Sequence, residues 1–140
     1  MKCLGIFFFF LVSITAYSQG SDAGLEGRWS LFKIIDNMTG EELEITHKAN
    51  PDYVYWIEFN LNNVKYNLEI NTCSNEIIVG KDRSIEFRYF SECTEICCDE
   101  EFSKVLTYEE CTKYYIKKDK TLIMVSEDRI FYFKKVSEEK

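Results

Sequence analysis

Histidine and proline are scarce in this sequence, and basic residues are outnumbered by acidic ones. The 140 residues include one histidine, His47, and one proline, Pro51. A lone histidine in the polar stretch 46–51 argues against histidine-based catalysis, and we predict an ordinary exposed side chain there. The single proline leaves no Pro-rich linker, and the chain shows no internal repeat. About 120 residues after a leader therefore predict one domain with one modest core.

The deficit of positive charge bears on the partners. The chain carries 17 basic and 24 acidic residues, and loss of the leader leaves 16 against 24, a formal charge of −8. Such a surface repels nucleic-acid phosphates and anionic lipid headgroups, so we predict no nucleic-acid partner. After the leader, no run approaches the roughly 20 apolar residues that a membrane span requires.

The N-terminus has the features of a secretory signal peptide. Lys2 precedes an apolar block, 4–12, which is followed by small and polar residues at 16–20. We predict that residues 1–19 are cleaved and that residues 20–140 form the domain. Because no cysteine lies near the cleavage point, the protein is not predicted to be a lipoprotein. Its predicted location is the periplasm or the medium.

Five cysteines follow the leader: Cys73, Cys93, Cys97, Cys98 and Cys111. Disulfides are the default in an exported protein. Paired zinc knuckles and a C-x-x-C redox motif are both absent from the sequence. All five are therefore candidates for two bridges with one cysteine left over. We expect Cys73 to pair with Cys97 or Cys98, and Cys93 or Cys111 to belong to the other bridge.

Apolar residues recur mostly with period two from Trp29 onward, which predicts strands. The segment VKYNLEI, 64–70, is the clearest case, and Asn62-Asn63 before it predicts a hairpin turn. Three short apolar segments near the C-terminus, KYYIK, TLIMV and RIFYFKKV, predict a meander.

One segment, about 99–108, breaks this pattern. Phe102, Val105 and Leu106 have helical spacing after an acidic start, which predicts one short helix before the last three strands. The predicted fold is mainly β. It is a small antiparallel barrel or strongly curled sheet of about eight strands, with the helix over an open end.

The order of the segments LEGRWSL, IEFNLNN, NTCSN, TEICCDEEFSKVL and KYYIKKDKTLIMV resembles the META domain, also called the HslJ-like family of small exported bacterial proteins. The positions that match the family motifs are Gly27, Trp29, Leu31, Asn75, Thr94, Phe102 and Leu106. The resemblance implies a compact β fold with a helix, an exported or envelope location, and an association with stress or drug tolerance. The family has no established catalytic residues, so none is transferred.

Gly27 and Trp29 also resemble the opening motif of lipocalins. In those barrels the tryptophan closes one end while the other end admits an apolar ligand. This resemblance implies an alternative function, the carriage of a small apolar ligand.

Carboxylates are concentrated beside the cysteines, at Glu92, Glu95 and 99–101. Paired acids can hydrolyse glycosides or bind calcium. The spacing of a calcium loop is absent, and an acidic first helical turn accounts for the cluster. We predict no catalytic residue, no metal and no cofactor, and therefore no enzymatic activity.

Two functions remain as hypotheses. The first is a non-enzymatic exported domain that binds another protein or persists under stress, and the second is the small-ligand carrier. A filled core favours the first. A cavity of about 300 Å³ or more, lined by Tyr53, Tyr55, Trp56 or Phe87, favours the second. A patch of exposed rings would indicate a partner surface.

Overall fold

The computed structural model describes residues 22–47, 50–88, 92–95 and 101–137. The strands of this part are β1 (Gly27–Asp36), β2 (Glu42–Leu43), β3 (Trp56–Asn60), β4 (Asn63–Asn67), β5 (Thr72–Val79), β6 (Ile85–Phe87), β7 (Glu92–Cys93), β8 (Lys113–Ile116), β9 (Thr121–Val125) and β10 (Arg129–Lys135). Two short 3-10 helices, η1 (Glu101–Val105) and η2 (Tyr108–Glu110), lie between β7 and β8. The predicted signal peptide, 1–19, lies outside the described residues.

Eight strands form one antiparallel sheet in the order β6-β5-β4-β3-β1-β10-β9-β8. The two-residue strands β2 and β7 pair with β1 and β5. The two ends of this order meet at a bridge between Ser84 and Lys113, where the Tyr114 amide donates to the Arg83 carbonyl at 3.0 Å. The sheet is therefore a nearly closed barrel. This confirms the predicted mainly β fold with about eight principal strands.

An ion pair stabilises the junction where the bridge between Ser84 and Lys113 closes the barrel, which we call the seam. The Asp82 carboxylate accepts hydrogen bonds from Lys113 Nζ at 2.7 Å and from the Ser84 hydroxyl at 2.6 Å. These two bonds, that of Lys113 first, hold the pKa of Asp82 well below its usual range. Similar contacts lower the pKa of Asp36, through the Thr39 amide, and that of Asp119, through Lys134.

We expect the fold to lose stability in acid. Asp36, Asp82 and Asp119 have lower pKa values in the folded chain than in the unfolded one. Their stabilising contribution is present above the unfolded pKa of about 4 and is lost as the pH falls below it. Chemical denaturation between about pH 6 and pH 2 measures this, and the Asp82→Asn variant should show a shallower decline. An equally steep decline in that variant would contradict the assignment to the seam.

The hairpin turn between β3 and β4 lies one residue before its predicted position, 62–63. Asn60 pairs with Asn63, so the turn consists of Leu61 and Asn62, and Leu61 takes a positive φ of 55°. The buried face of β4 sets this register, because a slip by one residue would turn every inward side chain outward. The predicted C-terminal meander is confirmed, since β8, β9 and β10 pair in chain order.

The predicted helix is present as two short 3-10 helices, and residues 99 and 100 lie outside the described part. The hydrogen bonds have 3-10 spacing: the Leu106 amide donates to the Ser103 carbonyl and the Cys111 amide to the Tyr108 carbonyl. A segment this short gains little from α-helix propagation, and single 3-10 turns are common in such connections. Within the described residues, no helix is long and apolar enough to cross a membrane.

The predicted pairing of Cys73 is wrong. Cys73 forms a disulfide with Cys93, its direct partner across β5 and β7. The register of this strand pair decides the bond, and the sequence does not reveal that register. Cys111, which was the alternative to Cys93 for the other bridge, carries a free, buried thiol in the core. The predicted roles of residues 97 and 98 lie outside the described residues.

Candidate functional site

One end of the barrel is sealed around Trp29. Its ring is buried, its Nε1 donates to the Leu25 carbonyl at 2.8 Å, and the Lys135 ammonium lies 4.3 Å from the ring centroid. Gly27 has a φ of +95°, and a Cβ there would lie 3.1 Å from Lys135 Nζ. The predicted motif Gly27-x-Trp29-x-Leu31 therefore has a structural role: it closes this end, with Leu31 buried above it.

The opposite end is plugged by the segment that contains η1 and η2. Leu106 and Tyr108 are buried, and Phe102 packs against Tyr55 with ring centroids 5.2 Å apart. The Tyr108 ring contacts Phe131 at 5.0 Å and also packs on Tyr66. The predicted positions Phe102 and Leu106 thus belong to this segment, which we call the plug, and help to fill that end of the barrel.

The interior between the seal and the plug is filled with rings and aliphatic side chains. All the inward residues belong to one continuous core cluster. The largest fully buried members are Trp29, Tyr55, Phe59, Tyr66, Tyr108, Phe131 and Phe133. The core is therefore packed with the protein's own side chains, as in small barrels whose interior is just wide enough for them.

Two polar groups in this core are poor candidates for chemistry. The Tyr108 hydroxyl has no hydrogen-bond partner among the described residues. Burial, followed by the nearby Cys111, raises the pKa of Tyr108. Burial also raises the pKa of the Cys111 thiol, with Glu109 and Glu110 adding to the effect. A thiol held in the protonated form is a weak nucleophile.

His47 is half-buried, which corrects the predicted exposed side chain. Its ring stacks on Tyr53 with centroids 4.1 Å apart. The Asn50 amide donates to Nδ1 at 2.9 Å, which leaves Nε2 to donate to the Glu69 carbonyl at 3.2 Å. Both ring nitrogens thus form hydrogen bonds to the backbone that hold the loop before β3, so the side chain has a structural role.

Asn75 and Thr94 also hold strands together. Asn75 Nδ2 donates to the Arg88 carbonyl at 3.3 Å. The Thr94 hydroxyl donates to Asn71 Oδ1 at 2.9 Å and accepts from the Thr72 amide at 3.1 Å. The predicted motif positions therefore lie in three separate places, at the seal, at the plug and along β5, and do not converge on one site.

A cleft of about 280 Å³ lies beside the plug and is open to solvent. It is slightly smaller than the cavity expected for a carrier, and the four aromatic residues named for that cavity do not line it. Its walls come from Tyr66, Leu68, Cys73, Cys93, Ser103, Lys104, Leu106, Thr107 and Glu109. Within the described ranges, no three histidine, cysteine or acidic side chains are grouped to bind an ion.

The outer face of the barrel carries a row of apolar side chains that the sequence analysis missed. Tyr132, Ile123 and Tyr115 lie directly opposite one another across β10, β9 and β8. Phe32, at a bulge in β1, meets the Tyr132 ring at 6.3 Å. We call these four residues the outer band. Phe32 and Tyr115 are 48% and 43% exposed.

A second apolar row adjoins the outer band. Ile35, Ile130 and Val125 pair across β1, β10 and β9 and are half-buried. A signal for both rows was present in the sequence, because "RIFYF" and "LIMV" carry apolar residues in both phases of a strand. An inward face accounts for one phase alone.

Comparisons with known proteins identify the fold. No protein-family model and no curated protein matches the chain. An NMR structure of a protein from Burkholderia xenovorans is similar, with a TM-score of 0.62 and 10% identity over 81% of this chain and 85% of that one. The crystal structure of a DUF4847 family protein from Bacteroides vulgatus is also similar, with a TM-score of 0.56 and 14% identity over 84% and 97% of the two chains. At these identities the likeness concerns the fold alone.

Proposed function

We propose that this chain is a small exported domain, periplasmic or secreted, that has no enzymatic activity and acts by binding a partner on its outer surface. The observation that carries the proposal is the filled barrel. Trp29 seals one end and Tyr108 plugs the other, and both are fully buried in one core. A barrel filled in this way offers a rigid exterior for recognition.

Two further features support an exported domain of the META type. The Cys73–Cys93 bond is of the kind that persists in oxidising compartments. The sequence pattern built on Gly27, Trp29 and Leu31 supports the resemblance to that family, and with it a role in the envelope or under stress.

The proposal predicts export and processing. The full chain, expressed in a bacterial host, should be recovered from the periplasm or the medium. Its mass should be that of a chain cleaved after Ser18 or Gln19. A matched chain without residues 1–19 should stay in the cytoplasm. Subcellular fractionation and intact mass spectrometry make both measurements. Cytoplasmic accumulation of the full, unprocessed chain would contradict the proposal.

A second candidate is the lipocalin-like carrier, for which the open cleft beside the plug is the available ligand site. A carrier would bind an apolar fluorescent probe such as anilinonaphthalene sulfonate with saturation at one site. Leu68→Trp, which fills the cleft, would abolish that binding. The outer-surface proposal expects any binding of this anionic, aromatic probe to be unchanged in Leu68→Trp.

A further inference from the structure

The outer band lies in a region of positive charge on an otherwise acidic chain. Residues 111–136, which hold β8, β9 and β10, contain seven lysine or arginine residues against three carboxylates, a net charge of +4. The whole chain has a formal charge of −7, so the residues outside this segment together carry −11. Lys113, Arg129 and Lys134 are already paired with carboxylates. The positive charge of this face that can attract an anionic group therefore comes from the lysines of the β8–β9 turn, although the whole protein repels such groups.

Several cations around the outer band have no carboxylate partner in the described part of the chain. The Arg83 guanidinium lies 5.9 Å from the Tyr115 ring. Lys33, whose Nζ lies 5.7 Å from the Tyr132 ring, is by contrast paired with Glu42 at 3.4 Å. Among the described residues, no carboxylate forms an ion pair with Arg83 or with the exposed lysines of the β8–β9 turn, Lys117, Lys118 and Lys120. The apolar row is thus bordered by positive charge that is available to a ligand.

The side chains indicate a polypeptide as the occupant. Aromatic residues and arginine are enriched in protein interfaces, tyrosine and arginine are common at their energetic centres, and their rims are polar. The adjoining row of Ile35, Ile130 and Val125 offers aliphatic contacts, which suit apolar side chains better than sugars or bases. The exposed rings lie flush on a strand surface, at most half exposed, so they cannot insert deeply into a bilayer.

The size of the outer band indicates a short segment. Four adjacent strands span about 15 Å, which is the length of about five residues of extended chain. A folded partner would need about 800 Å² on each side, which calls for many more residues than one row of four side chains.

We propose that the outer band binds an extended acidic segment of another protein, with aromatic or aliphatic side chains between its carboxylates. The apolar side chains of the segment contact Tyr115, Ile123 and Tyr132, and its carboxylates pair with Arg83 and with the lysines of the β8–β9 turn. This inference rests on the proposed function and names the partner class for it.

Three labelled peptides of about eight residues test the chemistry by fluorescence anisotropy with the processed, disulfide-bonded protein. The first alternates glutamate with tyrosine or phenylalanine, the second replaces the glutamates by lysine, and the third replaces the aromatic residues by serine. We expect the first peptide to bind about tenfold more tightly than either control, and to weaken as salt rises from about 0.01 M to about 1 M.

Two matched pairs of variants locate the site. Tyr115→Ala/Tyr132→Ala should weaken binding of the first peptide about tenfold or more, whereas Val54→Ala, at an exposed residue elsewhere, should not change it. Lys117→Glu/Lys118→Glu should weaken binding similarly. Lys65→Glu/Lys104→Glu, which makes the same change in charge at exposed residues away from the band, should not. Unchanged unfolding midpoints show that each variant is folded.

Three results would overturn the inference. One is the absence of binding by the first peptide, and another is equal binding to all variants. The third is displacement of the peptide by heparin or by phosphatidylglycerol vesicles at lower concentrations than by the unlabelled peptide, which would make the occupant a polyanion or a membrane. A chain that is exported but fails this test leaves the proposed function standing. A chain that binds but is not exported refutes the proposed function instead.

Discussion

Replacing Tyr108 by alanine is expected to lower the free energy of unfolding by about 3 to 5 kcal/mol. The ring lies at the centre of the plug, fully buried, and packs against Tyr66, Phe131 and Phe133. Truncation would remove these contacts and leave a cavity that rigid strands cannot close. Denaturant unfolding of the purified variant measures the loss.

The matched control is Tyr108→Phe, which keeps the ring and removes the hydroxyl. That hydroxyl has no hydrogen-bond partner in the described structure, so no hydrogen bond offsets the free energy lost by removing it from water. We expect the control to be as stable as the wild type or more stable. If Tyr108→Phe destabilised the fold as much as Tyr108→Ala, the hydroxyl and not the ring would hold the plug.

Removal of the Cys73–Cys93 bond, by Cys93→Ser, is expected to cost about 3 kcal/mol of stability, the value typical for a loop of this length. The two cysteines are 20 residues apart in sequence, and the bond ties the short strand β7 to β5. Cys93 is the better position to change, because Cys73 is buried and its replacement would also alter the core.

Non-reducing peptide mapping of the wild type checks the assignment that underlies this prediction. The Cys73 peptide should be joined to the peptide that contains Cys93. Cys93→Ser should then lower the unfolding midpoint, and the wild type with reductant should show at least as large a loss. Recovery of Cys73 bound to Cys97 or Cys98 would contradict the strand register described here.

The architecture could be predicted because alternation records the inward face of each strand. The C-terminal meander was found in this way, since its three segments are separated by polar turns. Details that depend on pairing between distant strands could not be predicted. The Cys73–Cys93 bond needs the register of β5 against β7, and the stacking of His47 on Tyr53 needs the return of a loop to the barrel.

The sequence pattern predicts less about the functional surface than about the fold. The motif residues Gly27, Trp29, Phe102 and Leu106 close and fill the barrel, so their pattern reports packing. The outer band arises from four strands whose outward residues meet only after folding. Within each strand, Tyr132 and Tyr115 are adjacent to inward aromatic residues, so the pattern of one strand alone does not reveal an outward row.

Native mass spectrometry of the exported, unheated protein tests the central claim most directly, because it asks whether the barrel holds anything but its own side chains. We predict the mass of the processed chain with its disulfide and no bound molecule, both before and after extraction with organic solvent. An apolar molecule that stays with the folded chain at one copy, and is released on denaturation, would contradict the filled barrel and establish the protein as a carrier.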